Sequence, residues 1–123
     1  MLVDASAIVA ILVEERDAAA LTKRLEKAAQ PCTSPIAVYE VVAGVARARN
    51  VPIRGAQETP DRFLHQTGMQ VVPITADIGR GALPAFERYG RGRHPAGTWA
   101  TALPTSARAY SIHPCCARAT ISR

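Results

Sequence analysis

No aspartate or glutamate follows Glu87 in this 123-residue chain. Aromatic residues make up only 5% of it, so few side chains are available to stack on nucleic-acid bases. The three cysteines, Cys32, Cys115 and Cys116, are odd in number, which argues against a disulfide framework. Long apolar runs are also missing. Ala5–Val13 is too short to span a membrane, and with Asp4 ahead of it and no basic segment leading it, it is a poor signal peptide. A cytoplasmic protein with no membrane partner is expected. No internal repeat is present. The absence of late acids makes the charge uneven: nine Lys and Arg accompany ten Asp and Glu up to Glu87, and six Arg stand alone beyond it. The formal charge of +5 therefore belongs to the last 36 residues. A basic stretch of that kind can bind phosphate backbones through charge alone.

What is present is a core. Apolar residues make up 48% of the chain, enough for one small domain and too many for wholesale disorder. The chain opens with Met1-Leu-Val-Asp-Ala-Ser-Ala-Ile-Val-Ala-Ile-Leu12. Three residues read as a short strand ending in Asp4, and Ser6 can cap a helix from about Ala7 to Glu15. An acid between an apolar strand and a helix stands at the carboxyl edge of a sheet, where open α/β sheets bind ligands. Asp4 can equally serve as a helix cap balancing the positive helix end.

Asp17 is predicted to cap a helix over Ala18–Ala29, with Leu21 and Leu25 on one face. Cys32-Thr33 reads as a short second strand. Ser34-Pro35 places serine at a cap and proline at the first helical position. The helix that follows, Ile36 to Ala46, is apolar almost all round and is expected to be buried, with Glu40 its one charge. Arg47, at helical spacing, could pair with Glu40; a metal ion shared with another acid is the functional alternative. Asn50–Ala56 reads as a loop. A helix is expected from Thr59-Pro60 to Gln66 with Phe63 and Leu64 inward, and a strand over Met69–Ile74 that Pro73 makes irregular. Thr75 should cap a last helix, with Asp77 in its first turn and a kink at Pro84. Strands alternating with helices predict parallel strands with helical crossovers. From Thr98 to Arg123 no sustained period of either kind is visible, which a doubly wound domain should not show.

Neighbouring parallel strands would bring Asp4 and Glu40 to one edge. Converging carboxylates repel unless a hard cation joins them. Mg²⁺ or Mn²⁺ takes oxygen ligands, polarises a phosphoryl oxygen and activates water, which is chemistry for phosphodiester hydrolysis.

Four segments carry a family resemblance: Leu2-Val-Asp-Ala-Ser-Ala-Ile-Val-Ala-Ile-Leu12, Thr33-Ser-Pro-Ile-Ala-Val-Tyr-Glu40, Val71-Val-Pro-Ile-Thr75 and Gly92-Arg-His-Pro-Ala-Gly97. Together they resemble VapC-type toxins of the PIN-domain family. The resemblance implies a PIN-like α/β fold, a parallel sheet flanked by helices, over residues 1–97. It implies a Mg²⁺- or Mn²⁺-dependent endoribonuclease acting on an RNA substrate. It also implies a VapB-type antitoxin as partner, and a homodimer is compatible with it. By the family's motif Asp4 is the first metal ligand, Glu40 the second acid, and Ser6 the hydroxyl supporting the first aspartate.

The chain then departs from that pattern. Family members follow the proline-alanine-glycine loop with asparagine-leucine-glycine-aspartate-cysteine, which supplies a third acid, and later with lysine-glycine-aspartate-aspartate-phenylalanine. Gly97-Thr98-Trp99-Ala100-Thr101-Ala102 must be written GGN-ACN-TGG-GCN-ACN-GCN. Read from the third base of the glycine codon it becomes NAC, NTG, GGC, NAC, NGC, which permits the first missing motif. In the same frame Ala117–Ser122, with Arg118 as AGG and Ser122 as TCN, becomes NAG, GGC, NAC, NAT, HTC, which permits the second. A frameshift, or a sequencing error mimicking one, is inferred, leaving an irregular, poorly ordered, non-family tail over residues 98–123 and an impaired or inactive nuclease. The arginines of that tail and the His113, Cys115 and Cys116 cluster then need no function. Asp77 and Glu87 are the remaining candidates for a third acid. The rival reading is a non-catalytic remnant that only binds its antitoxin. A phosphoacceptor domain is disfavoured, because Thr75, not an aspartate, follows the strand ending at Ile74.

Overall fold

The computed structural model describes residues 1–89 and the pair Thr120–Ile121. The chain divides into two units, Met1–Val72 with the C-terminal Thr120–Arg123, and Pro73–Ala119. The first holds a four-stranded sheet of two-residue strands: β1 (Leu2–Val3), β2 (Cys32–Thr33), β3 (Gln70–Val71) and β4 (Thr120–Ile121). Its order is β3-β2-β1-β4, and every pair is parallel. Leu2 lies opposite Cys32 on one side and Thr120 on the other, and Cys32 opposite Gln70. The expected α/β class with helical crossovers is therefore present.

Helices α1 (Ala5–Leu12), α2 (Ala18–Glu26), α3 (Pro35–Arg49), α4 (Ile53–Ala56) and α5 (Glu58–Gln66) join the first three strands. The core is built from Val3, Ile8, Leu21, Leu25, Val41, Val45 and Met69 together with several alanines. Each such branched side chain taken out of water contributes about 1.5–3 kcal/mol. Phe63 and Leu64 pack against this core from α5, as their spacing predicts.

Several boundaries differ from the sequence reading, each for a local reason. Helix α1 begins at Ala5 because Asp4, not Ser6, is its cap. It ends at Leu12, not Glu15, because Glu14 adopts a left-handed backbone with φ of 58°. The Glu14 and Glu15 amides then donate to the carbonyls of Ile11 and Ala10 at 3.3 and 2.9 Å, closing a Schellman turn without glycine. Helix α2 stops at Glu26, short of Ala29. The Asn50–Ala56 segment contains α4 where a loop was expected. The third strand shrinks to Gln70–Val71; its last ladder bond is Val72 N–H to Thr33 O at 2.8 Å, and Pro73 has no N–H to extend it. Cys32 is wholly buried.

Helix α3 is capped as predicted, Ser34 Oγ accepting from the Ala37 amide at 3.1 Å with Pro35 at the first position. It is not buried all round. Ala37, Val41, Val45 and Ala46 face the core, whereas Tyr39 is 73% exposed. Helices α1 and α3 approach closely at Gly44, where an added Cβ would lie 2.8 Å from Val9 Cγ2. In an open helix Gly→Ala gains roughly 0.8–1 kcal/mol. Here overpacking costs about 1–3 kcal/mol, so Gly44→Ala should lower the melting temperature. A raised melting temperature would show that the two helices can part freely.

The second unit is described only over α6 (Ala76–Tyr89). Thr75 Oγ1 accepts from the Ile78 amide at 3.3 Å, and Asp77 in the first turn pairs with Arg80 at 2.6 Å. The helix runs on through Pro84. The stretch expected to be a disordered tail lies outside the described residues except for β4. Thr120–Ile121 forms a strand there because the free edge of β1 offers unpaired backbone groups to any extended segment.

Candidate active site

The sheet order sets where a site can form. From β1 the chain moves outward through β2 to β3, and β4 lies on the other side of β1. The strand order therefore reverses at β1, and the crevice beyond the carboxyl end of that strand is the topological switch point. Asp4 follows β1 directly and occupies that place.

Asp4 is half-buried and extended, with φ −78° and ψ 153°, and caps α1. Its Oδ2 accepts from the Ser6 amide at 3.3 Å and from Ser6 Oγ at 2.6 Å. Both bonds engage one carboxylate oxygen, so Ser6 fixes the carboxylate's orientation, and Oδ1 has no hydrogen-bond partner among the described residues. The helix-cap and ligand readings of Asp4 are thus compatible. Beneath it, the fully buried Thr33 donates from Oγ1 to the Val3 carbonyl at 3.0 Å, tying the ends of β2 and β1 together just before Asp4.

Glu40 is half-buried in α3, and among the described residues it has no hydrogen-bond or ion-pair partner. The alternative in which Arg47 neutralises it is not adopted. Arg47 is exposed and has no partner among the described residues, whereas Arg49 nearby donates to Leu12 O at 2.9 Å and to Thr59 Oγ1 at 3.2 Å. Arg49 thus ties the end of α3 to the ends of α1 and α5.

Between α1 and α3 lies a cleft of about 460 Å³. Ala5, Ser6 and Val9 line it from α1, and Glu15 from the turn that follows. Tyr39, Glu40, Ala43, Gly44 and Arg47 line it from α3. Ser6 thus joins the Asp4 carboxylate to the cleft that holds Glu40. The sequence reading missed Glu15, whose arrival depends on the left-handed Glu14, and Tyr39, which was assigned to a buried helix. Asp77 and Glu87, the candidates for a third acid, both lie on α6 of the second unit, where Asp77 is paired with Arg80 and Glu87 is exposed. His65 is exposed on α5, while His94, His113, Cys115 and Cys116 fall outside the described residues.

Among the described residues no group of three or more His, Cys, Asp and Glu side chains is placed to hold a metal ion. Asp4 Oδ1 and the Glu40 carboxylate are oxygen donors with no partner among the described residues. That set suits a hard cation which keeps most of its waters, since Mg²⁺ is commonly held by one or two carboxylates.

Comparison with known proteins places these features in a family. The PIN domain model matches residues 1–102. A VapC ribonuclease of Rhizobium meliloti is 38% identical over 106 residues, covering 76% of this chain and 75% of the relative. Ribonuclease VapC of Mycolicibacterium smegmatis is 34% identical over 97 residues, covering 79% and 73%. Ribonuclease VapC42 of Mycobacterium tuberculosis is 38% identical over 97 residues, covering 78% and 72%.

Proposed function

The chain belongs to the PIN-domain family, as a VapC-type member, and on that premise we propose that it is a toxin endoribonuclease by descent, impaired in its present reading frame. Asp4 and Glu40 hold Mg²⁺ or Mn²⁺, RNA is the substrate, and a VapB-type antitoxin is the partner that blocks the site. The cytoplasm is the proposed place of action; among the described residues no helix is long and apolar enough to cross a membrane. The observation that carries this reading is the Asp4 carboxylate at the switch point, oriented by Ser6 beside a cleft in which Glu40 has no partner among the described residues.

The bound cation would polarise a phosphoryl oxygen and make a water acidic enough to attack at neutral pH. The chain's own residues prepare that site. Thr33 fixes the end of β1, Ser6 turns the Asp4 carboxylate, and the Ser34 cap with Pro35 sets the start of α3 and hence the position of Glu40.

Impairment follows from the acids. Two carboxylates hold a hard cation weakly, and the family's third and fourth are absent from residues 98–123. A shifted frame, or a sequencing error mimicking one, is the proposed reason, on the codons of Gly97–Ala102 and Ala117–Ser122. A homodimer is part of the proposal by family analogy alone.

A Mn²⁺ titration of the intact chain tests the site. Weak binding is expected, further weakened by Asp4→Asn. Tight binding together with brisk RNA cleavage would overturn the impairment. Binding indifferent to Asp4→Asn would remove the metal assignment and favour the remnant that only holds antitoxin.

A further inference from the structure

We propose that Tyr39 and Arg47 form the track on which single-stranded RNA lies, Tyr39 stacking on a base and Arg47 contacting a phosphate; this deepens the nuclease reading above and rests on it. Both residues line the α1–α3 cleft that contains Glu40. Tyr39 is one of only three tyrosines, and it is 73% exposed in the cleft that Glu40 also lines. A ring left in water at a cleft mouth offers a flat surface that any base can cover.

Arg47 stands further along the same helix. Among the described residues its guanidinium has no ion-pair or hydrogen-bond partner, although Glu15 and Glu40 share the cleft with it. The nearby Arg49 is spent on Leu12 O and Thr59 Oγ1, and Arg62 and Arg80 are paired with Glu58 and Asp77. Eight residues separate Tyr39 from Arg47, about 12 Å along the axis at 1.5 Å each. That distance equals the rise of three to four stacked nucleotides at about 3.4 Å. Between them Ala43 and Gly44 project nothing beyond a Cβ, so the floor stays open. A strand stacked on Tyr39 would bring one phosphate to Glu40 and a later one to Arg47. A guanidinium suits that contact, since its planar fork matches phosphate oxygens.

The test is equilibrium binding of a labelled, unstructured RNA oligonucleotide to the full chain in chelator, across a range of salt. Arg47→Ala is expected to reduce the slope of log affinity against log salt by about 0.7, the amount for one phosphate on a single strand. Arg47→Lys should restore the slope, and Arg54→Ala, a surface change on α4, should leave it unchanged. Tyr39→Ala should weaken binding by about 5- to 150-fold without changing the slope, and Tyr39→Phe should retain it. RNA binding with unaltered affinity and slope in the Arg47 and Tyr39 variants overturns the track while leaving the nuclease reading intact. An effect confined to antitoxin capture also overturns it and reassigns the face to a protein partner. Absence of any RNA binding by the parent chain overturns both readings.

Discussion

Moving the reading frame back just after Gly97 is expected to turn a chain with little or no metal-dependent RNA cleavage into an active toxin. The restored protein should bind Mn²⁺, cut RNA and slow growth unless its antitoxin is co-expressed. The physical reason is the number of carboxylates. Asp4 and Glu40 alone leave a cation mostly hydrated and loosely held. An aspartate soon after the proline-alanine-glycine loop and one acid of the later pair would bring the set to four. Four acids that repel one another at one sheet edge bind a divalent cation because the cation offsets their repulsion. A cation held that way sits close enough to phosphate and water to act on both. A restored protein that folds but neither binds Mn²⁺ nor cuts RNA would refute the link between the missing acids and the missing activity.

In that restored protein, Asp4→Asn and Glu40→Gln should each abolish cleavage while leaving the fold intact. Asparagine caps helices as well as aspartate, and its amide oxygen can still accept from Ser6, so α1 keeps its start. Glu40 has no hydrogen-bond or ion-pair partner among the described residues, so the isosteric glutamine removes only charge. Stability should therefore change by no more than about 0.5 kcal/mol in either variant. Ser6→Ala acts one step further out, by releasing the Asp4 carboxylate. It should weaken Mn²⁺ binding by about 10- to 100-fold, the range for partners that orient a ligand. Parallel melting curves and Mn²⁺ titrations separate these cases. Robust cleavage surviving Asp4→Asn would exclude it as a metal ligand.

Much of the fold was legible because its signals are local. Serine followed by proline announced α3, Thr75 announced α6, and acids and prolines marked the strand ends. The alternation of elements was enough to imply a parallel sheet. Features that depend on tertiary structure were not legible. The early end of α1 required a glutamate at φ 58°, a place where sequence patterns look for glycine. That turn also carries Glu15 into the cleft, so the acid could not be placed from spacing alone. Tyr39 was misjudged because an apolar-looking helix need not be covered on every side. The choice between an Arg47–Glu40 pair and a free Glu40 was open in the sequence, since helical spacing allows both; among the described residues neither side chain has a partner. The Asp4 cap was one of two readings open in the sequence and is present, whereas the cap expected from Ser6 is not, since Ser6 donates to Asp4 instead.

The most direct test is the nucleotide sequence of the gene from codon 95 to codon 122. The expected result is an alternative frame, open throughout, that encodes an aspartate at each of the two places inferred from the codons of Gly97–Ala102 and Ala117–Ser122. A stop codon between them, or no aspartate at either place, would contradict the claim that this chain is a metal-dependent ribonuclease whose missing acids are encoded but not read.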